Sequence, residues 1–185
     1  MWFGGIDMGL TQHNPNVLYG ASYEGAKELI TSQSTSEAAY SYTVSLHSSK
    51  GWDWAKSKLD INANYKHFDS PLLIQDQVVR YLGNSYNISI SFYAMPFRWM
   101  SLEYANNWYM TKSRMKYGAA VPALNILKSN LALSFIITKA LSVNFNLANY
   151  YNNRNKRDKS FILSNAEASY AIKRWNFTLV VDNLW

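Results

Sequence analysis

Hydrophobic and polar residues alternate along most of this chain. In the stretch ITKALSVNFNLANYYNNRNK, residues 137–156, the odd positions from Leu141 to Leu147 are apolar, and the even positions from Ser142 to Ala148 are small or polar. A period of two predicts a β-strand with one apolar face and one polar face. The local pattern leaves open whether the apolar face meets a protein core or lipid.

The same alternation recurs nine times and predicts nine strands. They lie near residues 2–11, 40–46, 58–66, 85–92, 100–111, 127–137, 141–148, 160–172 and 175–185. No helical period competes over a comparable length. Residues 14–38 could hide a helical turn at Glu24 to Ile30, but Gly20, Gly25 and the Ser/Thr run favour a loop.

The predicted connections alternate between short and long. Short connections fall near residues 94–99, 138–141 and 172–175, with a somewhat longer one at 48–57; residues 12–37, 69–78, 112–123 and 152–160 form longer, more polar ones. One end of the sheet is therefore expected to have short turns and the other end long loops. This asymmetry is typical of outer-membrane barrels, whereas sandwiches usually distribute their loops without such order.

Aromatic content changes the picture. Aromatic residues make up 16% of the chain, with 7 Trp and 14 Tyr, although the mean hydropathy is only -0.25. The sequence predicts two aromatic belts, as the interfacial preference of Trp and Tyr produces. Members at the short-turn end are Trp52, Trp54, Phe97, Trp99 and Trp175, and those at the other end are Tyr65, Phe68, Tyr81, Trp108, Tyr109, Tyr150 and Tyr151.

Three features favour lipid over a protein core. The strands are long, the aromatic residues lie where strands meet turns, and the polar face is mostly Asn, Ser and Thr. No run of apolar residues approaches the ~18 to 20 that a transmembrane helix needs, so a spanning structure has to be a barrel. The side chains predicted to face lipid, and so to be exposed, are Leu131, Leu133, Phe135, Val143, Phe145, Leu147, Phe177 and Leu179.

The net charge of +6 and pI near 9.4 come from dispersed cations. The one dense run is an outer-loop cluster that either attracts lipopolysaccharide or an acidic ligand, or is simply solvated. Nucleic-acid binding is disfavoured because no basic stripe is formed. The absence of cysteine excludes disulfides and thiolate metal sites. The cluster comprises Arg154, Lys156, Arg157 and Lys159.

No enzymatic constellation is visible, and no cofactor or metal is expected. His13, His47 and His67 are scattered without zinc-ligand spacing. Asp60 and Glu103 form an acid and base pair in one interpretation, but charges that balance neighbours across a lumen are the more common case. The candidates for a lumen-facing substrate path are Lys58, Asp60, Lys66, Glu103, Lys128 and Glu167.

The topology predicts an incomplete barrel in a single segment, residues 1–185. If the short turns face the periplasm, both the first and ninth strands run outward, whereas bacterial single-chain barrels have even strand numbers. We therefore expect a curved, open, purely antiparallel sheet without a helix longer than two turns, with residues 2–11 and 175–185 at its edges. The start, MWFGGIDMGLTQHN, lacks a signal peptide, which also indicates a piece of something larger.

The ending RWNFTLVVDNLW, residues 174–185, resembles the penultimate strand of TonB-dependent outer-membrane receptors. Asn183, Leu184 and Trp185 match the Asn-Leu-Phe-type tripeptide that often closes that strand, with Trp in place of Phe. The hairpins at residues 88–110 and 131–152 are similar to barrel hairpins of that family. The resemblance therefore implies that the family's plug domain, energy-coupling box and final strand lie outside this segment.

The resemblance implies a role in the outer membrane of a Gram-negative bacterium. Such receptors take up a scarce nutrient, for example a metal chelate or an oligosaccharide, and an inner-membrane complex supplies the energy through the N-terminal part. Implied partners are outer-membrane lipid and lipopolysaccharide. The alternatives are a complete small barrel of structural or adhesin type, or a soluble lipocalin-like carrier, whose usual Gly-x-Trp is missing from MWFGG.

Overall fold

The computed structural model describes residues 2–24, 27–53, 56–116 and 120–183. Eleven β-strands in these ranges form one sheet. Within the same ranges, no helix is long and apolar enough to cross a membrane. The strands are β1 (Trp2–His13), β2 (Val17–Glu24), β3 (Lys27–Ser34), β4 (Ala39–Trp52), β5 (Ser57–Ile74), β6 (Gln77–Phe97), β7 (Met100–Met115), β8 (Ala120–Ile136), β9 (Leu141–Asn152), β10 (Ser160–Ile172) and β11 (Trp175–Asp182).

Nine of these strands form an up-and-down sheet, which we call the wall. Its order is β1-β4-β5-β6-β7-β8-β9-β10-β11, and every neighbouring pair is antiparallel. Each wall strand overlaps one of the nine predicted strands, so the predicted all-β, up-and-down architecture is confirmed. Short turns keep successive strands adjacent, and the alternation fixes which face each side chain takes.

A hairpin inside the first predicted loop was not foreseen. β2 and β3 pair in antiparallel fashion from Val17↔Ser34 to Glu24↔Lys27, and β2 also pairs with β5 in parallel through Gly20 and Ala21. The predicted strand number and the purely antiparallel sheet are therefore wrong at this place. Local Gly and Ser signals report turn tendency, whereas the free backbone groups at the tip of β5 reward a further strand.

The predicted loop at residues 69–78 is also wrong, because β5 and β6 continue to a tight turn. Gln75 and Asp76 have φ angles of 48° and 60°, and two successive positive φ angles suit the twist of a hairpin. Pro71 is tolerated because β4 ends its pairing at Asp69, so Pro71 has no β4 neighbour that needs its missing N–H. We call residues 17–38 and 70–81 the outer extension.

The sheet is open, as predicted. β1 and β11 lie at the two ends of the strand order, and no described residue of one pairs with the other. Nine antiparallel strands leave these two edge strands running in the same direction. Direct pairing of β1 with β11 would therefore be parallel, which differs from every other pair in the wall.

Little of the chain is buried. Its accessible surface is 13528 Å², whereas a compact monomer of 21.3 kDa is expected to expose about 9,100 Å². Among the described residues the buried hydrophobic side chains are Leu18, Leu73 and Ala94. Leu18 and Leu73 both belong to the outer extension, so the wall has no closed apolar core of its own.

Candidate functional site on the polar face of the wall

The strand register brings the six predicted path residues to one face of the wall. Residues directly opposite each other on neighbouring strands share a face, and such pairs link Lys58 to Tyr93 and Tyr93 to Glu103. The same kind of step places Asp60, Lys66, Lys128 and Glu167 on this side. We call it the polar face; that it lines a lumen stays a prediction.

Amides and hydroxyls dominate the polar face. Asn64 Nδ2 donates to Ser45 Oγ at 2.7 Å, and Asn107 Nδ2 donates to Asn87 Oδ1 at 3.1 Å. A further hydrogen bond joins His47 Nδ1 and Asn62 Oδ1 at 2.5 Å. These neutral groups suit a hydrated wall better than a charged catalytic pocket.

The charges on this face are separated. Lys58 Nζ lies 2.9 Å from Asp60 Oδ1 and forms an ion pair with it. Glu167 accepts a hydrogen bond from Ser169 Oγ at 3.0 Å. Lys66 and Glu103 are exposed and make no ion pair within the described part of the chain. The register thus gathers the six residues on one face without joining them into one cluster.

A groove of about 390 Å³ crosses the polar face over β6 to β10. One row of its lining is small, and the next row toward the outer extension is taller, so the lining forms a step across the strands. The small row comprises Ser91, Ala105, Asn130 and Ala148 and ends at the larger Leu163 on β10, and the taller row comprises Ser89, Asn107, Lys128, Tyr150 and Phe161.

Two aromatic rings and a lysine occupy the outer side of this groove. The Tyr150 and Phe161 rings stack with centroids 5.2 Å apart and planes 20° apart. Lys128 Nζ lies 5.0 Å from the Tyr150 ring centroid, a cation–π geometry. No carboxylate forms an ion pair with Lys128 in the described ranges. The groove thus combines apolar ring surface with a lysine charge that has no acidic partner.

The predicted basic outer loop is present between β9 and β10. Arg154 Nη2 donates to the Pro122 carbonyl at 3.0 Å, which ties this loop to the first residues of β8. Arg154, Lys156, Arg157 and Lys159 are all exposed. β9 carries Tyr150 and β10 carries Phe161, so the loop with the four cations connects the two strands that hold the stacked rings.

The opposite face carries an apolar band. None of the eight side chains predicted to face lipid is buried. Phe145, Leu147, Phe177 and Leu179 are 45%, 39%, 58% and 67% exposed, and Leu131, Leu133, Phe135 and Val143 are half-buried between their neighbours. In a soluble fold such side chains are the first to be buried. No second layer of described structure covers this face.

Aromatic rings bound the band at the short-turn end. Phe97 and Trp99 stack with centroids 5.1 Å apart, and Trp99 lies 6.3 Å from Phe135. Lys50 Nζ lies 5.3 Å from the Trp2 ring and 5.1 Å from the Trp52 ring. The predicted member Trp54 lies outside the described residues.

The predicted outer belt is wrong as a single belt. Tyr65, Trp108 and Tyr151 share the face of the apolar band, whereas four others take the polar parity of their strands. On the apolar face the belt is completed by Tyr42 and Tyr86, whose rings lie 5.9 Å and 5.2 Å from that of Tyr65. The members that fall on the polar face are Phe68, Tyr81, Tyr109 and Tyr150.

The polar ends of two belt residues bond away from the band. Tyr65 donates its hydroxyl hydrogen to Asn84 Oδ1 at 2.9 Å, and Trp108 Nε1 donates to Asn125 Oδ1 at 2.7 Å. Asn84 and Asn125 each lie one row closer to the outer extension. Rings with an apolar body over a greasy surface and a bonded polar tip beyond it are typical of an interface.

An ionic cluster that the sequence did not reveal fastens the outer extension. Arg80 Nε and Nη2 bond Asp69 Oδ1 at 2.8 Å and 2.7 Å, and Nη1 reaches Glu37 Oε2 at 3.3 Å and the Ala38 carbonyl at 3.1 Å. The hydrogen bond that Arg80 donates to Asp69 is the main reason that the pKa of Arg80 is raised. Glu37 and Asp69 fall in two different predicted loops, Arg80 lies just after the second, and no local spacing connects the three.

The other sequence candidates do not converge. His13, His47 and His67 lie on β1, β4 and β5, and the described ranges hold no group of three or more His, Cys, Asp or Glu able to bind a metal ion. Asp60 and Glu103 lie on β5 and β7 with β6 between them. At about 4.8 Å per strand, their backbones are about 10 Å or more apart, which does not support an acid and base pair.

Asn183, which follows β11, has a φ of 53°, and the other two residues of the terminal motif, Leu184 and Trp185, lie outside the described residues.

No protein-family model, no curated protein and no solved structure matches the chain. The fold and the chemistry of its two faces are therefore the basis for a function.

Proposed function

We propose that the chain forms part of the wall of an outer-membrane β-barrel receptor of the TonB-dependent class, in a Gram-negative bacterium. The receptor takes up a scarce nutrient, either a metal chelate or an oligosaccharide. One observation carries this proposal: an apolar band, bounded by aromatic rings at both ends, covers one face of the wall, and no described element packs on it.

Contact with lipid would remove the free-energy cost of exposing the apolar band to water. Soluble monomers rarely expose a contiguous apolar patch larger than about 300–600 Å², whereas the band runs across all nine wall strands. The band also has a suitable height. From Tyr86 to Phe97 the strand extends about 37 Å at about 3.4 Å per residue, and a tilt of about 45° reduces this to about 26 Å, close to the ~25 Å apolar band of membrane barrels.

The edges support membership of a larger barrel. Because β1 and β11 run in the same direction, antiparallel closure requires an odd number of further strands between them, and the total then becomes even. A complete small barrel needs β1 to pair with β11, and a lipocalin-like carrier needs its apolar face inside a closed barrel. Neither alternative gains support from open edges and an uncovered apolar face.

In this proposal each part of the chain has a place. The outer extension and the basic loop at 153–159 face the cell exterior, where nutrient and lipopolysaccharide are met. The polar face lines the lumen and offers amides and hydroxyls to a hydrated ligand. Energy coupling to the inner membrane is assigned to the N-terminal part of such receptors, so this chain contributes the wall of the path and no catalytic step.

The orientation can be tested by cysteine labelling, because the chain has no cysteine of its own. Lys156→Cys lies in the basic loop, and Lys139→Cys lies in the short turn between β8 and β9; both positions are exposed. A membrane-impermeant maleimide should label Lys156→Cys on intact cells and Lys139→Cys only after the outer membrane is permeabilised. Equal labelling of both, or recovery of the chain in the soluble fraction, contradicts the proposal.

The uptake role needs a second measurement in cells that carry the gene. Deletion of the gene should abolish high-affinity uptake of a ferric chelate or an oligosaccharide under starvation. Inactivation of the energy-coupling complex should reproduce that loss. Uptake that depends on the gene but persists without the energy-coupling complex would indicate a passive pore instead of an energised receptor.

A further inference from the structure

We infer that the groove on the polar face binds an acidic oligosaccharide, an inference that rests on the proposed receptor function. The groove lies near the outer ends of β9 and β10, directly below the basic loop. A ligand that enters from the outer side would therefore meet Phe161 and Tyr150 early. Three independent properties of this site define the chemistry of its ligand: ring surface, paired amides and positive charge.

The ring surface suits the apolar face of a sugar. Phe161 is 43% exposed; Tyr150 covers one side of its ring. The small side chains of Ala105 and Ala148 in the next row let a ring approach the sheet closely. A flat apolar surface of this kind packs against the C–H groups of a pyranose.

The amides suit hydroxyl groups. Because Asn107 donates its amide hydrogen to Asn87 Oδ1, which lies outside the groove, the Oδ1 of Asn107 is left as an acceptor in the groove. Asn130, also in the groove, makes no side-chain hydrogen bond within the described part of the chain. Neighbouring sugar hydroxyls both donate and accept, whereas a metal chelate presents mainly acceptor oxygens. Mixed donors and acceptors therefore favour the sugar.

The charge favours an acidic sugar over a neutral one. Lys128 lines the groove and has no acidic partner among the described residues, and four more cations follow on the loop at 153–159, against the single acid Asp158. Glu103 lies on the same face but does not line the groove. A carboxylate on the sugar would pair with Lys128 at a position where the aromatic rings limit its hydration.

The test measures binding of trigalacturonic acid to the full chain in detergent micelles by isothermal titration calorimetry. Phe161→Leu removes the face of the aromatic ring. Lys128→Gln removes the positive charge with little change in side-chain volume. Each variant should weaken the binding of trigalacturonic acid about fivefold to tenfold. Two controls should change binding less than twofold: Phe3→Leu on β1 lies on the polar face away from the groove, and Lys139→Gln lies in the exposed short turn between β8 and β9.

Two comparisons make the inference specific. The neutral trisaccharide maltotriose should bind at least about tenfold more weakly than trigalacturonic acid. High salt should weaken the binding of trigalacturonic acid but leave the binding of maltotriose unchanged. Equal affinity for the two sugars, tighter binding of a ferric chelate, or equal effects of Phe161→Leu and Phe3→Leu would overturn the inference. No binding at millimolar trigalacturonic acid, in a chain with Lys156→Cys labelled from outside, contradicts this inference alone. Equal labelling of Lys156→Cys and Lys139→Cys contradicts the wall itself.

Discussion

The wall and the outer extension are built from the same sheet but are stabilised in different ways. In the outer extension Leu18 and Leu73 are buried, and Arg80 binds both Asp69 and Glu37. The wall instead leaves Met8, Leu10 and Leu179 at 76%, 80% and 67% exposure. The extension combines this small core and ionic cluster with exposed apolar side chains such as Tyr19 and Ile30, at 75% and 84%, whereas the wall leaves a whole apolar face uncovered and is stable only if that face meets lipid.

The wall and the outer extension therefore differ in the interactions that stabilise them. Backbone hydrogen bonds hold both regions, but in the wall the apolar side chains gain little from their neighbours and need an external apolar phase. The extension has a small core and ion pairs of its own, so its stability depends less on such a phase. Substitutions should therefore separate the two regions.

The largest effect is expected for a charge placed on the apolar band. Phe145→Arg should destabilise the chain in phospholipid bilayers by about 2–4 kcal/mol, because the side chain would sit near the membrane midplane. The matched variant Asn146→Arg, next in sequence but on the polar face, should change the free energy of unfolding by less than about 1 kcal/mol. Denaturant titration of bilayer-inserted chain measures both, and equal effects would remove the distinction between the faces.

The next effect separates the extension from the wall. A Cβ atom at Gly20 would lie 2.1 Å from the Leu73 carbonyl oxygen, so Gly20→Ala should displace the β2–β3 hairpin at a cost of about 1–3 kcal/mol. Hydrogen exchange should speed up at Gln75, whose N–H bonds the Ala21 carbonyl, but stay unchanged in β9. Gly9→Ala, with open space around it, serves as the control. Faster exchange throughout β9 would mean that the two regions unfold together.

A smaller effect is expected from the ionic cluster. Arg80→Lys keeps the charge but loses the planar fork that reaches Asp69 and Glu37 together, and should cost about 1 kcal/mol because the site is partly exposed. Faster hydrogen exchange at Glu37 and Ala38 would report the loosening. Arg98→Lys in an exposed turn should have no such effect. If both variants behave alike, the cluster does not fasten the extension.

The smallest effect concerns the outer belt. Trp108→Phe removes the N–H that bonds Asn125 but keeps most of the ring, and should cost about 0.5–1.5 kcal/mol in bilayers. Trp99→Phe is the matched control in the other belt, because Trp99 makes no side-chain hydrogen bond in the described part of the chain. Bilayer unfolding curves should show a larger loss for Trp108→Phe, and the reverse order would contradict its anchoring role.

Period-two alternation was enough to predict the wall. The parity of Lys58, Glu103 and Glu167 within their own strands placed them on one face before any pairing was known, because each cross-strand pair preserves the face. The same parity already separated Tyr109 and Tyr150 from Trp108 and Tyr151. Position along the chain alone does not distinguish the two faces, so a belt predicted from it combines residues of both.

The outer extension was beyond such reasoning. Gly20 and the Ser/Thr run of β3 carry local turn signals, yet their strands form because β5 projects past β4 and offers unpaired backbone groups. Glu37, Asp69 and Arg80 meet only after that projection is in place. The groove on the polar face could not be predicted from the sequence for a similar reason. Lys128, Tyr150 and Phe161 come from three strands, and the sequence does not determine the register between those strands.

The central claim, that the apolar band meets lipid, is tested most directly on β9. Single cysteines at residues 143 to 148, each carrying a nitroxide label, can be compared in bilayers for collision with oxygen and with a water-soluble nickel chelate. Val143→Cys, Phe145→Cys and Leu147→Cys should collide more with oxygen, and Asn144→Cys, Asn146→Cys and Ala148→Cys more with the chelate, giving a period of two. Uniform access of the chelate to all six positions, or protection of the odd positions from both reagents, would contradict the lipid-facing wall.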